Sequence, residues 1–139
     1  MAKITLRQVE ELIMVGTDSN NHSVVIGKKM GEPGEWVGVK PSELLLMAAA
    51  SCSAYDVIEI LTKQRQPFHD LQVVCEGSQR PEQPSYFTKI HLHFVVTGKG
   101  VPAAAVERAV AMSHEKYCSA TIMLSKTAEV STSFEVVEG

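Results

Sequence analysis

The sequence predicts an α+β domain with mainly antiparallel strands, and three observations carry that reading. One long apolar run, Pro41 to Lys63, has helical character and no room for a strand pattern. Several short segments on either side alternate apolar and polar residues in the manner of half-buried strands. These segments come in the order strand, strand, helix, strand, strand, helix, helix, strand, which is not the strict alternation of a parallel α/β fold. The chain has 139 residues, enough for one domain with a real core, and it is read as a single domain spanning 1–139.

In chain order, residues 3–15 are ambiguous. Ile4, Leu6, Leu12 and Met14 alternate like a strand, whereas Leu6, Val9 and Ile13 also fit a helix. Gly16 to His22 is a dense turn signal, and Ser23 to Gly27 is a short β-rich run. Together they predict one hairpin. Lys28 to Val39 is a glycine-rich loop without a phosphate-binding pattern.

The central helix then begins at Pro41, a residue suited to a first helical position, with Glu43 at the positive end of the dipole. From Leu44 to Ala50 every residue is apolar, so this half is expected to be covered on all sides. After Ser51, the polar residues Asp56, Glu59 and Lys63 define a wet stripe. The run reaches the lower length limit for a membrane span, but its charges and its serines argue for a core helix.

Leu71, Val73 and Cys75 share one side of a strand, and Lys89 to Val96 is the clearest strand of all. Pro102 opens a second helix, which is interrupted at Tyr117-Cys118-Ser119. Ala120 to Lys126 reads as a short third helix and Val130 to Val137 as the last strand.

Composition narrows the function. Hydrophobic residues make up 45%, charged residues 21%, and net charge is −3. With no basic cluster, neither nucleic acid nor an anionic membrane is an expected partner. The first residues lack an apolar leader region, so the cytoplasm is the expected location. Three cysteines without a zinc spacing fit core residues or reactive thiols rather than a disulfide framework.

Cysteine in an apolar element is usually packing, and Cys75 is assigned to that role. Cys118 lies at a break between helices, where the N-terminal end of the third can stabilise a thiolate. Cys52 has small neighbours, Ala48, Ala49, Ser51 and Ser53, that leave room for a second element. The two can pair only if the fold brings their Cα atoms within about 7 Å, which the sequence leaves open. His91 and His93 share a strand face, but no third ligand is placed near them, so no metal and no cofactor are expected.

These residues resemble a known family. Residues 41–57, PSELLLMAAASCSAYDV, look like the first-cysteine helix of the OsmC/Ohr superfamily, and residues 115–124, EKYCSATIML, look like its second-cysteine segment. The strand IHLHFVVTG, residues 90–98, and the order of elements also fit, most closely the YhfA-like branch.

The resemblance implies an OsmC-like fold, with antiparallel sheets wrapped around the cysteine-bearing helix of an intertwined homodimer. It implies thiol peroxidase chemistry on organic hydroperoxides or hydrogen peroxide. Cys52 would attack the peroxide, Cys118 would resolve the sulfenic acid as a disulfide, and an external dithiol would reduce it. Characterised peroxidases of the superfamily activate the first cysteine with an arginine from the N-terminal hairpin and a glutamate just after the motif's proline. Here Ser42 follows Pro41 and the glutamate is Glu43, while no arginine lies between Val15 and Lys40. Asp56, four residues after Cys52, would raise the thiol's pKa if the two faced each other. The alternative implied by these departures is a non-catalytic module that binds an apolar small molecule or senses redox state.

Overall fold

The computed structural model describes all 139 residues and divides into two compact units, Met1–Leu45 and Leu46–Gly139. The first unit is built on a three-stranded antiparallel sheet of β1 (Thr5–Glu10), β2 (Leu12–Thr17) and β3 (Ser23–Lys28), in that order. One hairpin was expected here, and a three-stranded meander is found. The difference lies at Glu11, whose φ of 52° lets the chain reverse through Glu11 and Leu12, between the paired Glu10 and Ile13. Its carboxylate accepts the Met30 N–H at 2.7 Å. The second turn falls where the sequence places it. Asp18 Oδ1 accepts the N–H groups of Asn20 and His22, both at 2.8 Å, and these bonds hold the Asp18 carboxyl below its usual range.

The predicted central helix α1 spans Pro41–Lys63 as expected. Its buried residues, Ala49, Ser53, Val57 and Leu61, recur every fourth position and form one stripe. Cover on all sides of Leu44 to Ala50 is not found within one chain. Leu45 and Met47 are 49% and 51% exposed, and Tyr55 further along is 71% exposed.

The second unit contains a sheet of β4 (Phe68–Gln79), β5 (Phe87–Gly98) and β6 (Glu129–Val137), again in chain order. β4 and β5 are antiparallel, whereas β5 and β6 run parallel, a departure from an all-antiparallel arrangement. The parallel step follows from the connection, because two parallel neighbours need a long crossover. That crossover is α2 (Ala103–Met112), a single π turn (Ser113–Tyr117) and α3 (Ser119–Leu124).

β5 is the spine of the core. Phe87, Ile90, Leu92, Phe94 and Val96 lie buried with Val57 and Leu61 of α1 and Val106, Ala109 and Val110 of α2. The alternate side chains, His91 and His93, form a polar ladder with β6. Their ring nitrogens bond to Ser131 and Ser133 at 2.7 Å and to Glu135 at 3.2 Å.

Candidate functional site

α1 and the crossover bring Cys52 and Cys118 together within the second unit. Cys52 sits one residue before the buried Ser53, so its side chain lies at the margin of the buried stripe and is half-buried. Cys118 is fully buried. It caps the N-terminus of α3, where its sulfur accepts the Thr121 N–H at 3.4 Å, and its thiol points to the Ala49 carbonyl at 3.9 Å.

The helix-end environment expected to favour a Cys118 thiolate is present, but it does not prevail. Burial pushes the Cys118 thiol up, and the hydrogen bonds from Thr121 offset this only in part. The neighbouring Cys52 pushes it up further. Cys52 is thus near enough to bear on the ionisation of Cys118. Cys118 is a protonated, enclosed thiol beside a more accessible one.

The break that presents Cys118 is the π turn. Its wide winding aims the Cys118 N–H at the Ser113 carbonyl, 2.8 Å away, five residues back. Ser113 is itself buried and meets α1. Its Oγ lies 2.9 Å from Ser53 Oγ and donates to Asp56 Oδ2 at 2.8 Å. Sequence reading missed this cluster, because its bonds join residues far apart in the chain. Three hydroxyl or carboxyl side chains spaced along apolar helices were its only signal. Beside the cluster opens a cleft of about 500 Å³ lined by Asp56, Glu59, Ile60, Lys63, Met112 and Tyr117.

Of the remaining sequence candidates, Asp56 lies in this cluster, and Glu43 and Cys75 lie outside it. The exposed Glu43 carboxylate lies 3.9 Å from Lys40 Nζ. Asp56 is engaged by Ser113. Cys75 packs half-buried against the core, and burial followed by the Glu76 charge raises its thiol pKa.

Comparison with known proteins gives a consistent picture. The family model of OsmC-like proteins matches residues 31–133. Protein YhfA of Escherichia coli K12 is 42% identical over 132 residues, covering 95% of this chain and 96% of its own. A crystal structure of a hypothetical protein from Aquifex aeolicus superposes with a TM-score of 0.88 at 29% identity, covering 100% of this chain and 98% of its own. An organic hydroperoxide resistance protein from Legionella pneumophila superposes with a TM-score of 0.72, covering 97% of this chain and 96% of its own; at 16% identity the likeness is one of fold.

Proposed function

The chain belongs to the OsmC-like family, and from that membership and its paired thiols we propose a two-cysteine peroxidase that reduces organic hydroperoxides or hydrogen peroxide. The observation that carries the reading is the asymmetric pair. One half-buried thiol lies against one fully buried thiol whose pKa is raised. Fold likeness to a hydroperoxide resistance protein supports a role in redox stress.

In the proposed cycle the Cys52 thiolate attacks the outer oxygen of the hydroperoxide. The S–O bond forms, the O–O bond breaks, and the alkoxide leaves as the alcohol after taking a proton. Cys118 then attacks the sulfur of the Cys52 sulfenic acid. The S–S bond forms, the S–O bond breaks, and the hydroxyl leaves with the Cys118 proton as water. An external dithiol returns both thiols by exchange. Keeping Cys118 protonated until this step fits its place as the resolving thiol. Glu43 is the family's glutamate displaced by one position. Nine residues at about 100° each place it across the helix from Cys52, so its part in the site would need a kink in α1 or a second copy.

The same proposal includes a cytoplasmic homodimer. Met47, Tyr55 and Ile58 form an exposed stripe on α1 at helical spacing, which is unusual for a lone surface helix. A second copy of α1 provides matching apolar cover. Sedimentation at micromolar and nanomolar concentration is expected to give a dimer, and a folded species of 15.2 kDa would overturn this part.

The chemistry is tested by adding one equivalent of cumene hydroperoxide to the reduced protein. Peptide mass spectrometry should find Cys52 joined to Cys118, and loss of peroxide should continue when a dithiol is supplied. Thiols left intact would exclude the peroxidase. The lack of an arginine between Val15 and Lys40 favours a second reading, a small-molecule-binding or redox-sensing module. That module would form the disulfide without sustained turnover.

A further inference from the structure

We propose that Asp56 is a positioning residue for closure of the Cys52–Cys118 disulfide, acting through Ser113 as a clamp on the π turn. The proposal rests on the two-cysteine reading above and assigns work to residues that the cysteine motifs leave without any.

The hydrogen-bond directions are fixed by chemistry. The carboxyl oxygen accepts, and Ser113 Oγ donates its proton to Asp56 Oδ2. Ser113 Oγ has no second proton, so Ser53 Oγ must donate to it across the 2.9 Å contact. The chain therefore runs one way, from Ser53 through Ser113 to Asp56. Both serines are buried, at 2% and 0% exposure, so a lost partner leaves a polar atom without water.

The clamp matters because of what else Ser113 holds. Its hydroxyl is tied to α1, and its carbonyl accepts the Cys118 N–H that closes the π turn. One residue thus links the helix carrying Cys52 to the backbone carrying Cys118. Ser53 follows Cys52 directly, and Asp56 follows it by about one helical turn. The network lies on α1 directly after the first thiol and grips the start of the turn that delivers the second. Disulfide formation demands close control of Cα separation and Cβ direction, so slack in this link falls on the closing step. Attack by Cys52 on an external reagent needs no such alignment.

An aromatic disulfide, dithiobis(nitrobenzoate), separates the two events without any peroxide. In a Cys75→Ser background, Cys52 attacks the reagent and releases one nitrothiobenzoate. Cys118 then attacks the Cys52 sulfur of the mixed disulfide and releases the second. Asp56→Ala is expected to slow the second release about tenfold and leave the first unchanged. Ser113→Ala should do the same, and the double variant should be no slower than either single one, since all remove one link. Asp56→Asn keeps an acceptor for Ser113 and should recover most of the rate.

An unchanged second release would overturn the clamp. So would equal slowing of both releases, or an Asp56→Asn variant as slow as Asp56→Ala, which would assign the effect to charge. If Asp56→Ala does not fold, Ser113→Ala removes the same bond with the loss of one oxygen, and the same two rates decide. A Cys75→Ser protein that releases both thiolates but ignores cumene hydroperoxide removes the peroxidase reading and leaves the clamp intact.

Discussion

Cys52→Ser is expected to reduce hydroperoxide consumption to the uncatalysed rate, a loss of at least about 10³-fold, or about 4 kcal/mol of transition-state stabilisation. A serine hydroxyl at this position is almost wholly protonated at neutral pH and is a poor nucleophile toward oxygen. No neighbouring thiol can take over. Cys118 is fully buried, and burial raises its pKa, so it holds little thiolate for a peroxide that cannot reach it.

Cys118→Ser has a different expected signature. The first equivalent of hydroperoxide is still consumed, and the Cys52 sulfenic acid then persists long enough for capture by a cyclic diketone. Cys75→Ser should change neither result, because Cys75 lies on β4 and packs half-buried against the core. A Cys52→Ser protein that consumes cumene hydroperoxide at the wild-type rate would end the assignment.

The parts of the fold that local chemistry specifies were legible in the sequence. The bounds of α1 follow from Pro41 and from Gln66-Pro67, which stops the helix; in the structure Arg65, with φ of 55°, turns the chain there. β5 follows from strict alternation through Ile90, Leu92, Phe94 and Val96. Cys118 was placed at the start of α3 by the helix break alone, and its sulfur is the cap. What was not legible depends on partners distant in sequence. The split of the first segment into β1 and β2 hangs on one residue, Glu11, in a conformation that its side chain does not announce. The parallel pairing of β6 is a property of the crossover rather than of the strand's own residues.

The site divides in the same way. Both thiols were visible as candidates, Cys52 from its small neighbours and Cys118 from the helix break. The net electrostatics of Cys118 were not, since the helix-end effect is local and the burial that outweighs it is tertiary. Ser53, Ser113 and Asp56 looked like ordinary polar interruptions of apolar helices. Only the packing of α1 against the π turn joins them in one hydrogen-bonded chain.

Phe94→Ala is expected to destabilise the protein by about 3–5 kcal/mol, a large share of the roughly 5–15 kcal/mol available to a domain of this size. Phe94 is fully buried at the centre of β5, between partners on both sides, since it pairs with Val73 of β4 and Phe134 of β6. Strand pairing fixes the backbone there, so neighbouring side chains cannot close the space left by the ring. Phe134→Ala should cost less, because its side chain is only partly buried. Urea unfolding monitored by circular dichroism gives both values, read at one fixed protein concentration because dimerisation would add to apparent stability. A loss below about 1 kcal/mol for Phe94→Ala would mean that the site collapses around the missing ring. The same variant separates stability from chemistry. While folded, it should still close the Cys52–Cys118 disulfide, because the clamp through Ser113 is made of α1 and the π turn alone.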